Sequence, residues 1–366
     1  MEKKFIVLIA FILQIWIVRG QDATTLDFID ASSLTVIGQA KSTAFPFHRL
    51  DTAVYKGLSK GENQQARCPA GLALVFRTNA SQIDLYATYK YQPDPNNMTR
   101  IATAGFDLYI KKDGQWLYAN STVAPKGKNT LTLIKDMDTQ DKECLLYLPL
   151  NSELDALKIG VPKGAKLEAI PNPFQHKLVI FGSSYTQGIS ANRPGMNYPA
   201  QLERNTGLYV CNLGFSGNSK LQPYFARYLA DVETDAFIFD AFSNPNEAII
   251  RERLFPFIET IRAKQPNTPL IFVQTIYRES GNFNLVARAF EEKKRQAAEE
   301  MMEKAMKKYK NVYFINNPQL PGTDHATSTD GVHPSDLGYS RWAKNLGDAL
   351  LSLFKEHQYL GMGKVD

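Results

Sequence analysis

A chain of 366 residues with 44% apolar and 22% charged residues has ordinary globular usage, which sets aside global disorder and leaves room for two domains, each able to bury a core. The net charge of +5 falls to +3 once Glu2, Lys3, Lys4 and Arg19 are set aside, too small a balance for strong attraction to nucleic acid or to an acidic membrane. The three cysteines, Cys68, Cys144 and Cys211, allow one disulfide at most, and none has the spacing of a zinc ligand set.

The first element is an apolar run over residues 5–18, broken only by Gln14, preceded by Lys3 and Lys4 and followed by Val18-Arg19-Gly20. This is the pattern of a secretory signal peptide. At 14 residues the run falls short of the roughly 20 that span a bilayer, so export with removal of residues 1–20 is expected rather than anchoring. No cysteine follows the run for lipid attachment, and no other stretch is long and apolar enough to cross a membrane, so no stable span is expected after cleavage. A periplasmic or extracellular location permits a Cys68–Cys144 disulfide. Cys211, inside the strand-like stretch 208–212, is expected to be a buried thiol.

Residues 26–167 read as β structure. The stretches 72–77, 83–88, 106–110 and 144–148 are short, rich in β-formers and partly alternating. Asp94-Pro95-Asn96, Lys112-Asp113-Gly114 and Pro125-Lys126-Gly127 supply turns between them. Such spacing predicts an all-β sandwich. No long helical periodicity and no internal repeat is evident there. Residues 21–170 are taken as one domain and 171–366 as a second.

From His176 onward the pattern changes to strand–helix alternation. Short continuous apolar runs at 178–181, 209–212, 236–239, 270–273 and 312–315 suit strands buried on both faces. Helical stretches at 198–204, 221–229, 247–263, 286–309 and 336–354 lie between and after them. This predicts an α/β fold with a five-stranded, doubly wound parallel sheet. The alternating charges of 291–308 read as a solvated helix face. Ligands of such sheets bind beyond the carboxyl ends of the strands, which directs attention to the residues just after each run.

The first of these strands ends in Phe181-Gly182-Ser183-Ser184, with Gly188 beyond. A serine at this edge can project its hydroxyl into the crevice, where it needs a base to become a nucleophile. A helix cap is the simpler role for a lone serine. The spacing is neither the G-x-S-x-G elbow nor a P-loop. The second strand ends in Gly214-Phe215-Ser216-Gly217-Asn218, whose glycines can expose amides to developing negative charge or simply make a tight turn. The third ends in Asp240-Ala241-Phe242-Ser243-Asn244-Pro245-Asn246, where Asn244 is an amide donor or a turn former and Asn246 a helix cap. The last loop holds Asp324-His325 and Asp330-Gly331-Val332-His333. A carboxylate three residues from an imidazole can fix its tautomer and stabilise the imidazolium. Asp330-Gly331 is also an ordinary turn, and His325, which follows an aspartate too, is the competing histidine.

Singly these signals are weak; their joint occurrence is specific. The segment from His176 to Leu353 resembles the SGNH hydrolases, also called the GDSL esterase/lipase superfamily. Gly182-Ser183-Ser184 resembles the nucleophile block, Gly217 the glycine block, Asn244 the asparagine block and Asp330-Gly331-Val332-His333-Pro334 the final block. The resemblance implies a flavodoxin-like SGNH fold and a serine esterase that needs no metal or cofactor. It implies Ser184 as nucleophile, His333 as base, Asp330 as orienting acid, and an oxyanion hole of the Ser184 amide, the Gly217 amide and the Asn244 side chain. Two positions depart from the family: Ser183 and Pro245 stand where aspartate is usual. In the first half, Phe47-His48-Arg49-Leu50, Ala104-Gly105-Phe106-Asp107-Leu108-Tyr109 and Tyr147-Leu148-Pro149-Leu150 resemble, in outline, the β-sandwich that precedes the hydrolase domain in a group of exported bacterial SGNH proteins.

An exported enzyme with an attached sandwich points to a polymeric target, and the resemblance implies O-acetyl groups on a carbohydrate. The alternatives are a lipase or thioesterase, which needs a longer acyl pocket, and a non-catalytic carbohydrate-binding protein, against which the intact serine, aspartate and histidine argue. Tyr185, Arg193 and Phe215 are candidate substrate contacts. Arg193 equally suits a surface turn, and the two aromatics ordinary packing.

Overall fold

The computed structural model describes residues 25–361 of the chain, so the export signal read from residues 1–20 lies outside the described residues. Ten strands come first: β1 (Leu26–Asp30), β2 (Thr35–Ile37), β3 (Ala73–Thr78), β4 (Ile83–Tyr91), β5 (Phe106–Lys112), β6 (Gln115–Thr122), β7 (Thr130–Ile134), β8 (Lys142–Tyr147), β9 (Glu153–Pro162) and β10 (Leu167–Ala169). One sheet runs β1-β9-β4-β7 and the other β10-β3-β8-β5-β6, with β2 on β3. Leu74, Phe76, Leu85, Leu108, Leu146 and Ile159 fill the space between the sheets. Side chains alternate along a strand, so Ala73, Val75, Leu145 and Tyr147 point the other way. They form a second apolar layer with Phe174 and Ala200, against the rest of the chain. A sheet buried on both faces explains why 72–76 and 144–148 read as nearly continuous apolar runs. The same half holds two short helices, α1 (Lys60–Arg67) and α2 (Arg100–Ala104). Helix α1 starts on a capping box, with Ser59 and Glu62 bonded reciprocally to each other's backbone amides.

Beyond residue 170 the strands are β11 (Gln175–Gly182), β12 (Leu208–Gly214), β13 (Ala236–Asp240), β14 (Leu270–Val273) and β15 (Val312–Ile315). All pairs are parallel, in the order β12-β11-β13-β14-β15. The helices are α3 (Ser184–Gln187), α4 (Tyr198–Thr206), α5 (Pro223–Ala230), α6 (Glu247–Arg262), α7 (Leu285–Lys308) and α8 (Asp336–Glu356). Val179, Phe181, Leu213, Phe237 and Phe239 face α5, α6 and α7. Leu178, Ile180, Val210, Ile238 and Ile271 face α4 and α8. The sheet is doubly wound, as expected, and its order reverses at β11. The carboxyl ends of β11, β12 and β13 therefore open on one crevice. Among the described residues no helix is long and apolar enough to cross a membrane.

A polar seam joins the sandwich to the α/β layer. Asp107, fully buried on β5, accepts hydrogen bonds from Arg193 Nη1 at 2.8 and 2.7 Å and from the Gly195 amide at 2.8 Å. Arg193 also donates to the Tyr109 hydroxyl at 2.6 Å. The aspartate and tyrosine of Gly105-Phe106-Asp107-Leu108-Tyr109 thus clamp the loop that follows the first α/β helix. Arg49, fully buried, donates to the carbonyls of Cys68 at 2.7 Å, Gln65 at 2.6 Å, Gly214 at 2.8 Å and Asn212 at 3.3 Å. Burial lowers its pKa to about 10, which leaves it charged at neutral pH. The three cysteines are free and buried, so the Cys68–Cys144 bridge that export would permit is not formed. Cys144 faces the core of the sandwich, whereas the Cys68 thiol donates to the Gln64 carbonyl at the end of α1. Burial pushes all three thiols up to about 12.

Glu203 of α4 lies in the same seam, where Oε2 accepts the Tyr147 hydroxyl at 2.9 Å and Oε1 the Val210 amide at 3.1 Å. Burial pushes its carboxyl up to about 8, against the opposing pull of those two bonds. A carboxyl protonated in the fold and ionised in the unfolded chain stabilises the fold fully below its unfolded value, and that stability is lost as pH rises towards about 8. Thermal melts across pH 5 to 8 are expected to show Tm falling with pH, and Glu203→Gln is expected to reduce that slope. Asp107 and Asp240, also raised by burial, add slope of the same sign, whereas His48, lowered by burial, adds slope of the opposite sign below its ordinary value.

Candidate active site

The site is built at the switch point. Strand β11 delivers Gly182 to a position where a side chain has no room: a Cβ there would lie 2.0 Å from Thr186 Oγ1 and 2.9 Å from Asp240. Ser183 then takes the cap role, its Oγ accepting the Tyr185 amide at 3.2 Å. This frees Ser184, the first residue of α3, from the capping that its sequence position also suggested. Gly188, at φ +100°, ends the helix in the left-handed conformation.

Ser184 is 6% exposed, and its Oγ lies 3.0 Å from His333 Nε2. His333 Nδ1 lies 2.8 Å from Asp330 Oδ2. A carboxylate at Nδ1 holds the ring proton there, so Nε2 presents its lone pair to the serine hydroxyl. The structure therefore brings Ser184, His333 and Asp330 into one hydrogen-bonded run. Burial resists ionisation of Asp330, but bonds from the His333 amide, Asn97, the His333 ring and the Val332 amide outweigh it and hold the carboxyl well below the usual range. Gly331, at φ +84°, turns the loop, and its carbonyl accepts the Ser280 amide at 2.7 Å. His325 is not part of this run; it is exposed and pairs with Glu279 at 2.9 Å.

The donors lie on the adjoining turns. Gly217 is exposed with φ +72°. Its turn is held from both sides: Ser216 donates its amide to Gln187 Oε1 at 3.0 Å, and Gln65 of α1 bonds the Ser216 carbonyl at 2.8 Å and the Asn218 side chain at 3.0 Å. Gly214 lets β12 approach α3, since a Cβ would lie 2.0 Å from the Gln187 amide nitrogen. Asn244 Oδ1 accepts the Ser219 amide at 3.2 Å, which turns its NH₂ group away from that bond. Among the described residues, the amides of Ser184 and Gly217 and the NH₂ of Asn244 have no hydrogen-bond acceptor. Donors left without an acceptor on the turns after β11, β12 and β13 are of the kind a developing oxyanion requires. Asn246 caps α6 through the Ile249 amide at 2.9 Å.

Each of the three candidate substrate contacts has partners within the protein. Tyr185 is fully buried, with its hydroxyl accepting Arg278 Nε at 2.8 Å and its ring edge-on to His333 at 5.7 Å. Phe215 is fully buried in a cluster with Phe181 and Phe225. Arg193 is committed to Asp107 and Tyr109, with its guanidinium 4.3 Å from the Tyr118 ring. The solvated reading of 291–308 also needs amending. Glu291 and Lys294 are buried; Glu291 pairs with Arg278 at 2.9 Å and Lys294 at 2.6 Å. Both cations donate to the Ser243 carbonyl, next to Asn244.

Asp240 is the residue that the sequence reading passed over. Fully buried at the end of β13, it accepts Ser183 Oγ at 2.6 Å, the Ser183 amide at 3.1 Å and Thr186 Oγ1 at 3.0 Å on one oxygen, and Ser243 Oγ at 2.5 Å on the other. Burial raises its pKa against those bonds. One carboxylate thus ties the serine turn to the Asn244 loop. The missing aspartate at 183 is answered by one from the neighbouring strand. Its signal was an acidic residue closing an otherwise apolar run.

Residues 175–350 match the GDSL-like lipase/acylhydrolase family, and residues 26–167 match the N-terminus of SGNH-hydro-type esterases. A Bacteroides ovatus structure described as a GDSL-like lipase is 41% identical with a TM-score of 0.87, over 90% of this chain and 98% of that one. The salicylyl-acyltransferase SsfX3 of a tetracycline biosynthetic pathway is 19% identical with a TM-score of 0.71, over 91% of this chain and 98% of its own. A family two carbohydrate esterase from Cellvibrio japonicus, at 12% identity and a TM-score of 0.59 over 90% and 98%, shares the fold. No curated protein matches the chain by sequence.

Proposed function

The chain belongs to the GDSL-like lipase/acylhydrolase family and is an ester-hydrolysing enzyme, and on that footing we propose that it is a serine esterase with Ser184 as nucleophile, His333 as general base and Asp330 as the acid that orients it. The observation that carries this reading is the run from Ser184 Oγ through His333 to Asp330, at 3.0 and 2.8 Å. His333 Nε2 takes the hydroxyl proton as Ser184 Oγ attacks the ester carbonyl. The carbonyl oxygen gains charge facing the Ser184 and Gly217 amides and the Asn244 side chain, each well-placed donor contributing about 3–4 kcal/mol. Collapse of the tetrahedral intermediate expels the alcohol, which His333 protonates. Water, activated by the same imidazole, then releases the acid from the acyl-serine.

For substrate, we take O-acetyl groups on a carbohydrate, acted on by an exported protein whose units are residues 21–170 and 171–366. The shared fold with carbohydrate esterases supports this. One observation favours a second reading, hydrolysis of longer acyl chains as by a lipase or thioesterase. A groove of about 570 Å³ that includes Asn246, two residues past Asn244, is lined by Ala248, Leu285, Val286, Ala289 and Phe290, with Glu247 and Lys293 beside them. Rates on p-nitrophenyl esters from acetyl to octanoyl, with acetate release from a panel of acetylated glycans, separate the two. Acetyl is expected to be preferred, with release from at least one glycan. A kcat/KM that rises with chain length would replace this reading with the second.

A further inference from the structure

The carboxylate of the proposed triad is not held by its own loop alone. Asp330 Oδ1 accepts two amides of that loop, from Val332 at 3.0 Å and His333 at 2.7 Å. Oδ2, the oxygen that faces the His333 ring, also accepts Asn97 Nδ2 at 2.8 Å. Asn97 stands 233 residues away in sequence, in the loop joining β4 to α2 of the sandwich. That loop is seated on the α/β layer. Met98 packs on the core that includes Tyr185 and Trp342, and Thr99 Oγ1 donates to the Asn192 carbonyl at 2.5 Å. Pro93 and Pro95 restrict its backbone.

We propose that Asn97 is a positioning residue for ester hydrolysis, and that the sandwich thereby completes the active site of the α/β layer rather than acting as a separate binding unit. The proposal rests on Ser184, His333 and Asp330 forming the triad. An ionised carboxylate offers about four acceptor sites, and here two loop amides, the imidazole and Asn97 fill them. Carboxylate torsions are broad, so an oxygen bonded to the imidazole alone could swing out of the ring plane. The loop amides restrain the carboxylate through Oδ1, and Asn97 restrains Oδ2 directly. It does so without adding a positive charge, which would weaken the pull of Asp330 on the imidazolium. Because Asp330 is partly exposed, water can replace Asn97 as a donor, so its loss bears on geometry and rate rather than on folding.

Asn97→Ala is expected to lower kcat roughly 10-fold with KM little changed, the loss of one hydrogen bond to a charged group. Asn97→Asp sets a second carboxylate beside Asp330, which favours the imidazolium and moves the acid limb of kcat/KM to higher pH. The far-downfield proton resonance of the His333–Asp330 hydrogen bond is expected to shift in Asn97→Ala, a readout that needs no turnover. Asn96→Ala, an exposed neighbour in the same loop, is expected to match the native enzyme. A native kcat and an unshifted resonance in Asn97→Ala would overturn the proposal. So would a native pH profile in Asn97→Asp, which preserves the side chain's size should the alanine variant fold poorly. Ser184→Ala runs alongside. If it keeps hydrolysing, the triad assignment itself fails, whereas its inactivity beside an unaffected Asn97→Ala overturns only the role given to Asn97.

Discussion

Ser184→Ala is expected to lower ester turnover by roughly 10⁴–10⁶-fold while the protein still folds. The size of the loss follows from the role proposed for the hydroxyl, since among the described residues no other nucleophile is bonded to the imidazole and the remaining rate comes from the idle donors and substrate binding. The survival of the fold follows from what the hydroxyl does not do. Its hydrogen bond goes to His333, while the cap of α3 is Ser183 and the tie to the sheet is Asp240. Tm is therefore expected to stay close to the native value. His333→Ala should fall as far, and the double variant hardly further, because the two groups act as one unit. Purified proteins assayed on p-nitrophenyl acetate decide this; turnover within tenfold of native in either single variant would remove Ser184 or His333 from the proposed mechanism.

The second large effect is expected at Asn244. Asn244→Ala should reduce kcat by roughly 10²–10³-fold with a smaller change in KM, since in the proposed mechanism the amide is called on as the oxyanion forms and not when the ester binds. Substitution also strands the Ser219 amide, which now bonds Asn244 Oδ1. Losing that partner costs about 1–2 kcal/mol of stability, which melts will register separately. Asn244→Asp discriminates further, because it keeps the acceptor for Ser219 but turns an oxygen towards the developing negative charge. It should lose at least as much kcat as the alanine variant at neutral pH. A kcat in the native range for either variant would take Asn244 out of the oxyanion hole.

The α/β layer was legible because its strands are buried on both faces. Val179 and Phe181 meet α5 and α6, Leu178 and Ile180 meet α4 and α8, and an unbroken apolar run is the result. The pairing of His333 with Asp330 was legible because they share one loop, three residues apart. The sandwich was harder. Strand β9 carries Leu154, Leu157, Ile159 and Val161 inward, but register shifts against β4 break its alternation. Asp240 needed the sheet order, since its partner Ser183 follows the end of the neighbouring strand, and Asn97 needed the docking of the two halves. Tyr185 and Arg193 sit close to the site in sequence. Yet which way a side chain points is set by partners elsewhere, Arg278 for one and Asp107 for the other.

The Arg49 guanidinium bears on how such a chain recombines. Two of its carbonyl partners belong to the segment around α1 and two to the end of β12, while Ala40, Leu50 and Ala66 form part of the core that also holds Phe215 and Leu213. A sandwich joined in this way is no cassette. Grafted onto a foreign α/β layer it would bring a buried cation with only two of its four carbonyl sockets, and the layer left behind would show an apolar floor to water. Chimeras of related chains should therefore inherit Arg49 with the Asn212–Gly214 strand end, and Asn97 with Asp330, as matched sets.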